Sequence, residues 1–468
     1  MLTRLKVSGF KNLLDLDIRF GPFTCIFGPN GVGKSNLFDA IHFLSLLADR
    51  PLMDAAAAVR DAGRRSRSML GLFYRSGDYV CGQIDFEMDL LVPLEAVDDF
   101  GQTAKATITT LRYELSIGIG NQDQLILKKE QLRHISLAEA RSELGRFGPS
   151  VEWKDSVIKG SRRAPYFIST NEEKATVRIH QDSHAGRPVS YRADALQRTV
   201  VSGSNSAENP TILVLRREMQ SWLQLQLEPS SLRKPDEVTA SPHLSASGEH
   251  MPVTLERLIR KDKDLQTSLA NRLAELIGDV RDVYAERDTS RDLITAYARF
   301  ADGTAHPASS LSDGTLRFLA LAVLEQDTEF RGLLCLEEPE NGIHPERIPA
   351  MIRLLTDLAM DTDLPAGSDN PLRQVIINTH SPVCAAEVPP DSLLSDETAI
   401  IEREGQLLRT IQLKPMSQTW RTKVGGPSIS TGRLVEYLRP VRGTNSQRGH
   451  RVADRPELQM ELVFPDEG

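Results

Sequence analysis

One short segment constrains what this chain can fold into more than any other. The pattern G-x-x-x-x-G-K-[ST] directly follows the apolar run PFTCIF. Small residues let the backbone wrap closely, so that successive N–H groups point at a bound phosphate. PFTCIF is typical of a buried strand and SNLFDAIHFLSLL of an amphipathic helix, which is the context that the pattern requires. The sequence therefore predicts a nucleotide site formed by Gly28, Pro29, Asn30, Gly31, Val32, Gly33, Lys34, Ser35 and Asn36.

Two side chains of this segment have predicted roles of their own. Lys34 would reach the β- and γ-phosphates, and the Ser35 hydroxyl would hold Mg²⁺. The helix that follows would present its N-terminus to the same anion. The alternative is a glycine turn that binds nothing.

The composition excludes several classes of protein. With 468 residues, of which 26% are charged and 40% hydrophobic, the chain is expected to be an ordinary soluble protein of two or three lobes. A formal net charge of −8 argues against a broadly positive surface, although a local basic groove stays compatible with it. There is no apolar run of about 18 residues and no signal-peptide pattern, so no contact with a membrane is expected. Four scattered cysteines without ligand spacing favour the cytoplasm.

The chain divides into segments of different character. Three β runs between residues 79 and 132 predict an antiparallel sheet, and residues 51–75 are expected to form helix and loop at the surface. Leucine spacing predicts one helix from Val253 to Val280. The predicted division is an N-terminal lobe with the phosphate loop and β subdomain, an irregular or helical insert, a C-terminal lobe, and a hairpin with a tail. Their limits are 1–135, 136–250, 251–400 and 401–468.

A polar, glycine-bearing turn precedes an apolar helix in the run SSLSDGTLRFLALAVLEQ. It contains Ser312, Asp313 and Gly314. The plain interpretation is a helix start, with Ser312 or Asp313 as its cap. The alternative is a second phosphate-facing turn.

Two apolar runs end in side chains that can do chemistry. RGLLCLEEPENGIHP ends a predicted strand in Glu337 and Glu338, and QVIINTHSP ends another before His380. In parallel α/β folds nucleotide sites lie at this edge of the sheet. The alternatives are solvated acids at an ordinary strand end and a structural histidine.

Taken together and in this order, these motifs resemble the ATPase heads of the ABC-type branch that includes SMC, RecF-like and OLD-family proteins. The resemblance covers residues 1 to about 50 and about 250 to 400. LSDGTLR, EEPENGIHP and THSP are most similar to the stand-alone AAA-family ATPases of bacterial operons, many of which act in anti-phage defence. The implied fold is α/β: an ABC-type P-loop ATPase head with a mixed or parallel core sheet, an antiparallel β subdomain and a helical or irregular insert.

The resemblance implies ATP and Mg²⁺ as ligands and gives each motif a role. Lys34 and the loop amides would bind phosphates, while Ser35 and, through water, Glu337 would hold Mg²⁺. Glu338 would orient and polarise the attacking water, and His380 would contact the γ-phosphate. Positioning and charge stabilisation supply most of the catalysis in such sites.

For the remaining motif, the resemblance implies a homodimer or a higher homo-oligomer. Ser312 and Gly314, with Asp313 between them, would cap the γ-phosphate from a second subunit. Two departures from the family pattern stand out. Glu337 replaces the more usual aspartate, and no glutamine can be assigned to the metal-contacting loop, for which Gln83 is a weak candidate.

The residues after His380 bear on whether the chain cuts nucleic acid. A TOPRIM nuclease needs an Asp-x-Asp motif, which this part of the sequence lacks, and ETAIIEREGQLLRTIQL is typical of a hairpin. We therefore do not expect the chain to be a nuclease by itself. The arginines between Arg439 and Arg455 predict a solvated tail or a contact with nucleic acid or an acidic partner.

Three functional hypotheses remain. The first is a dimerising ATPase that acts as sensor or scaffold in defence and holds a separately encoded effector, a nuclease or a toxin. The second is a RecF-like repair ATPase with DNA as its partner. The third, a transporter subunit, is the weakest because such subunits usually carry LSGGQ and an aspartate before the catalytic glutamate.

Overall fold

The computed structural model describes residues 1–60, 69–121, 124–182, 188–424 and 427–430, together with Gly432, Leu434 and Tyr437. The predicted arginine cluster from Arg439 to Arg455 lies outside the described residues. Among the described residues, no helix is long and apolar enough to cross a lipid bilayer. The strands are β1 (Leu2–Ser8), β2 (Leu16–Arg19), β3 (Phe23–Phe27), β4 (Arg75–Ser76), β5 (Tyr79–Val80), β6 (Gln83–Leu91), β7 (Glu95–Val97), β8 (Thr103–Lys105), β9 (Thr110–Ile119), β10 (Leu125–His134), β11 (Tyr166–Asn171), β12 (Thr176–Ile179), β13 (Val189–Arg192), β14 (Leu223–Leu225), β15 (Asp236–Glu237), β16 (Val280–Asp288), β17 (Leu293–Phe300), β18 (Ala305–Pro307), β19 (Gly332–Glu337), β20 (Arg373–Thr379), β21 (Leu393–Arg403) and β22 (Gln406–Pro415). The α-helices are α1 (Lys34–Leu47), α2 (Leu52–Arg60), α3 (Leu137–Leu144), α4 (Val151–Val157), α5 (Val200–Gly203), α6 (Pro210–Gln220), α7 (Pro229–Leu232), α8 (Met251–Lys261), α9 (Asp264–Ile277), α10 (Asp313–Gln326), α11 (Ile348–Leu358) and α12 (Pro382–Ala386).

A six-stranded sheet lies at the centre of the fold, in the order β14–β19–β20–β3–β21–β22. Its first five strands are parallel, and β22 runs antiparallel to β21. Alternate residues of β3 enter two hydrophobic clusters, so that Ile26 packs with α1, and Cys25 packs with α10 and α11. The carboxyl ends of the five parallel strands meet at one edge, where ligands bind in such sheets.

An eight-stranded antiparallel sheet forms the second layer, in the order β13–β12–β11–β10–β9–β6–β1–β2. Strands β6, β9 and β10 are the predicted antiparallel runs, which the structure confirms. The sheet packs on α1 through Phe10, Phe43 and Phe86, whose ring centroids lie 5.8, 5.9 and 6.3 Å apart. The predicted fold class, a parallel core sheet with an antiparallel β subdomain, is confirmed.

The segment 136–250, predicted to be helical or irregular, also contains strands. Strands β11, β12 and β13 extend the antiparallel sheet beyond β10, and β14 forms an edge of the core sheet. All four residues of β13 are exposed, so no buried face marks this short segment as a strand. Strands β10 and β11 pair across the predicted limit at 135, and β21 crosses the predicted limit at 400. The four-part division stays a prediction.

Two helices also differ from the predictions. The segment 253–280 holds two helices, α8 and α9, because Asp262 is extended and its Oδ1 accepts the N–H of Asp264 at 2.9 Å. A short acidic side chain that bonds the backbone in this way ends one helix and starts the next. The prediction that 51–75 lies at the surface is wrong for α2, which contributes buried residues to the core. They are Leu52, Ala55, Ala56 and Val59.

Candidate nucleotide site

The loop between β3 and α1 lies at the carboxyl edge of the core sheet. Gly28 and Gly33 have φ angles of +153° and +120°, which side-chain-bearing residues rarely adopt. A Cβ on Gly28 would lie 1.5 Å from Oδ1 of Asp396, and a Cβ on Gly33 would lie 1.9 Å from Nδ2 of Asn12. Only glycine fits either position. The intervening residues 29–31 are exposed, so this part of the loop is open to a ligand.

Asn12, in the turn after β1, braces the loop. Its amide nitrogen donates to the Val32 carbonyl at 2.8 Å, and its oxygen accepts from Asn36 Nδ2 at 2.8 Å. Asn36, a predicted nucleotide-binding residue, is therefore part of the loop's support. The sequence did not single out Asn12, because asparagine is common in turns for conformational reasons alone.

Lys34 is buried, and its ammonium group has three hydrogen-bond acceptors. Its ammonium donates to the carbonyls of Gly28 and Pro29 at 2.7 and 2.8 Å and to Oδ2 of Asp396 at 3.2 Å. Burial raises the pKa of the Asp396 carboxyl, and the charge of Lys34 opposes that rise. Asp396 was not predicted as a site residue, since a single acid within a strand is commonly solvated.

The predicted metal-binding pair is brought together by the fold. The Ser35 hydroxyl donates to Glu337 Oε2 at 2.5 Å, although the two residues are 302 positions apart. The Gln224 amide donates to Glu337 Oε1 at 3.2 Å, and the Asn378 amide donates to Oε2 at 3.4 Å. Hydroxyl and carboxylate oxygens are the donors that Mg²⁺ prefers. Ser35 and Glu337 therefore fit such an ion, with Gln224 and Asn378 orienting the carboxylate.

The glutamine beside this pair is not the one that the sequence suggested. Gln83 lies in β6 of the antiparallel sheet, where its amide donates to Asp85 at 2.7 Å and its oxygen accepts from Lys128 at 3.1 Å. Gln224 instead lies on β14, which pairs in parallel with β19, the strand that ends in Glu337. Gln83 is therefore corrected to Gln224 as the glutamine next to the predicted metal ligand.

Glu338 and His380 form a hydrogen-bonded pair at the same edge. Nδ1 of His380 lies 2.9 Å from Oε1 of Glu338, whose Oε2 accepts from Asn341 at 2.7 Å. Glu338 has a φ of +46°, and its N–H donates to the Asn378 carbonyl at 3.0 Å. The carboxylate is thus held at both oxygens just beyond the strand, and it is 31% exposed. In this structure His380 orients Glu338; its predicted contact with a γ-phosphate stays a prediction.

Tyr437 connects the histidine turn with the phosphate loop. Its hydroxyl donates to the His380 carbonyl at 2.8 Å, and its ring lies 5.2 Å from that of Phe27, the residue before the loop. Burial raises its pKa to about 12, so the hydroxyl stays a donor. No motif surrounds Tyr437, so it could not be singled out from the sequence.

The predicted signature turn starts helix α10. The Ser312 hydroxyl accepts the N–H of Thr315 at 3.2 Å as an N-cap, and Asp313 pairs with Arg233. A Cβ on Gly314 would approach the Gly342 carbonyl at 3.4 Å. Within the described chain, no hydrogen bond or ion pair joins residues 312–314 to the loop 28–36. The helix start is thus confirmed, and its role on a nucleotide stays a prediction.

Comparisons with known proteins agree with this geometry. A family model described as "AAA domain, putative AbiEii toxin, Type IV TA system" matches residues 112–385, and a second, described as "AAA domain", matches residues 4–54. The RecF protein of Parabacteroides distasonis is 50% identical over 46 residues, which are 10% of this chain and 13% of that protein. The OLD nuclease of Thermus scotoductus is 51% identical over 41 residues, which are 9% of this chain and 8% of that protein. The chain therefore matches only a small part of the length of these relatives.

SMC heads are among the solved structures that the chain matches. One is the head bound to the C-terminal winged-helix domain of ScpA, at 14% identity and a TM-score of 0.47, covering 88% of this chain and 98% of that one. Another is the SMC head domain of Thermotoga maritima, at 13% identity and a TM-score of 0.37, with the same coverage.

Proposed function

The chain belongs to the AbiEii-type AAA-domain family, whose match spans more than half of its residues, and from this membership we propose that it binds and hydrolyses ATP. It is an ABC-type ATPase of the branch that includes RecF, SMC and OLD proteins. One observation carries the proposal for this chain. The contact between Ser35 and Glu337 joins the phosphate loop to the acidic strand end on one sheet edge.

The described side chains divide the chemistry among them. Lys34 and the amides of the loop would hold the β- and γ-phosphates, and the N-terminus of α1 would add positive potential. Ser35 and Glu337 would hold Mg²⁺, which when bound supplies charge that offsets the charge developing on the transferred phosphoryl group. Glu338, oriented by His380, would position the attacking water and accept its proton.

We expect Ser35→Ala protein to lose ATP turnover by at least about tenfold, a loss typical of damage near a metal site. Its turnover should also require a higher Mg²⁺ concentration, because one oxygen ligand is gone. The measurement is the hydrolysis rate across a Mg²⁺ titration. The matched control is Ser116→Ala, which removes a hydroxyl that also donates to a carboxylate, Asp85, at 2.5 Å but lies on the antiparallel sheet. Equal Mg²⁺ curves for the two variants would contradict the proposed site.

In the cell, we propose that the ATPase acts as a dimerising sensor or scaffold in anti-phage defence and controls a separately encoded effector. The charge pattern of the antiparallel sheet supports a protein partner over DNA. Several basic side chains of the sheet are paired with acids of neighbouring strands and therefore offer little free positive charge to a phosphate backbone. The closest pairs are Arg4–Asp17, Arg112–Asp89 and Lys129–Glu114, at 2.5, 2.5 and 2.6 Å. The RecF-like alternative rests on the short matches to RecF proteins.

The two functions predict different activators. We expect gapped duplex DNA to leave the ATP turnover unchanged, and the product of the neighbouring gene to bind the chain and change that turnover. Turnover is measured with each addition at low and at moderate salt, because a contact with phosphates weakens as salt rises. Stimulation by DNA that salt removes, without any effect of the neighbouring protein, would favour the RecF-like function.

A further inference from the structure

Asp396 enters the phosphate loop through the register of the core sheet. Strand β21 pairs in parallel with β3, up to the pair of Ser395 with Phe27. Asp396 is the next residue of β21, and Gly28 is the first residue after β3, so the carboxylate lies against the first residue of the loop. A Cβ on Gly28 would collide with Asp396 Oδ1 at 1.5 Å, which shows how closely the backbone and the carboxylate approach. The Asp396 side chain is 0% exposed.

The hydrogen bonds of Lys34 decide whether it can bind a phosphate. An ammonium group has three N–H donors. In Lys34 all three are used, by the carbonyls of Gly28 and Pro29 and by Asp396 Oδ2. A phosphate oxygen can therefore be bound by Lys34 only if one of these acceptors gives way.

The two oxygens of Asp396 have unequal surroundings. Oδ2 accepts from Lys34, whereas Oδ1 is buried without a hydrogen-bond partner among the described residues. A buried carboxylate with one unpaired oxygen is poorly compensated. It also lies beside a loop that would carry a polyphosphate, whose charge has the same sign. The arrangement suits the empty loop and opposes the filled one.

We propose that Asp396 is an internal competitor of the nucleotide for Lys34 and that it sets the affinity of the site according to the number of phosphate charges. The proposal rests on the proposed nucleotide site and adds a residue that opposes binding. In the empty loop, Asp396 supplies the counter-charge that a buried ammonium requires. In the filled loop, that counter-charge comes from the phosphates, and Asp396 becomes a repulsive neighbour. A purely structural role for the ion pair predicts the opposite, namely that removing Asp396 weakens binding.

The test is Asp396→Asn, which keeps the shape of the side chain and removes its charge. Dissociation constants are measured by calorimetry for AMP, ADP and an ATP analogue with a non-cleavable β–γ bridge, at one Mg²⁺ concentration. We expect the ATP analogue to bind about tenfold tighter or more, as for one unit charge removed at about 10 Å in an effective dielectric of about 20. The gain should be smaller for ADP and absent for AMP. The melting temperature without nucleotide should fall, because Lys34 loses its counter-ion.

The matched control is Asp182→Asn. Asp182 is also a buried acid, 3.3 Å from Arg162, with side-chain exposures of 3% and 6%, and it lies beyond β12 in the antiparallel sheet. We expect this variant to melt at a lower temperature with its nucleotide affinities unchanged. Both variants are checked by circular dichroism to be folded at the temperature of the titrations.

Three results would overturn the proposed role of Asp396. Unchanged or weaker binding of the ATP analogue by folded Asp396→Asn protein, with normal binding by wild type, overturns the competitor role and leaves the nucleotide site intact. An equal gain for all three nucleotides also overturns it, because charge would not be the cause. If wild type binds none of the three nucleotides, the proposed function fails and this inference fails with it.

Discussion

Two substitutions in the site should separate ATP binding from ATP turnover. Lys34→Ala should abolish ATP binding. Glu338→Gln should keep ATP binding, while turnover falls by about a hundredfold or more. Lys34 carries the charge that would face the terminal phosphates, so its loss removes the attraction for ATP both in binding and in hydrolysis. Among the described residues, the Glu338 carboxylate has no hydrogen bond to the loop 28–36, and its partners are His380 and Asn341. Its carboxylate is needed only to orient and deprotonate water.

The measurements are equilibrium binding of ATP and the steady-state hydrolysis rate. The matched control for Glu338 is Glu346→Gln. Glu346 also lies beside a histidine, His344, at 3.6 Å, but it is 87% exposed. We expect wild-type turnover from this control. Near-normal turnover by Glu338→Gln protein would remove Glu338 from the catalytic role.

A mixture of Lys34→Ala and Gly314→Glu protein, each inactive alone, should recover about a quarter of wild-type turnover if two subunits share each site in a symmetric dimer. The loop 28–36 and the helix start at 312–314 are not joined within the described chain, so a second copy would bring the two motifs together. Random pairing makes about half of the dimers mixed, and each mixed dimer has one site with both defects and one with none. A site built within one chain would recover no activity.

The control for this experiment is a mixture of Lys34→Ala with Glu338→Gln protein. Both residues belong to the same half of a site, so every site in the mixed dimer carries one defect. No turnover should return, and any recovery there would reveal contamination by wild type. If sites fire only together, the first mixture is also silent, and Glu338→Gln protein is then sized with and without ATP. Absence of ATP-dependent dimerisation, together with absence of recovery, would rule out the shared site.

Much of the phosphate loop could be predicted from sequence because its requirements are local. The buried strand, the glycines at Gly28 and Gly33 and the helix that follows are all written in one continuous segment. The positive φ angles exclude residues with a Cβ whatever the remote neighbours are. The acids at Glu337 and Glu338 could be predicted for the same reason, since a short apolar run followed by charge marks the end of a buried strand.

Other parts of the fold could not be predicted because their signal is not local. Strand β13 is exposed at every residue, and it is a strand only because β12 offers it a partner. The two glutamines show the same limit. Gln83 lies in a predicted strand and Gln224 in the segment predicted to be helical or irregular, and nothing in either segment says which sheet it will join. The choice of neighbour depends on the packing of the whole sheet.

The sequence by itself determined that this chain has a phosphate loop, a strand ending in two acids and a helix capped by Ser312 or Asp313. The tertiary structure alone decided which side chains surround them. Asn12 supports the loop, Gln224 orients Glu337, and Asp396 accepts a hydrogen bond from Lys34. For Gln224 and Asp396 the physical reason is strand register: parallel pairing of β14 with β19 and of β21 with β3 aligns residues more than a hundred positions apart, and a shift of one residue would turn both side chains to the opposite face.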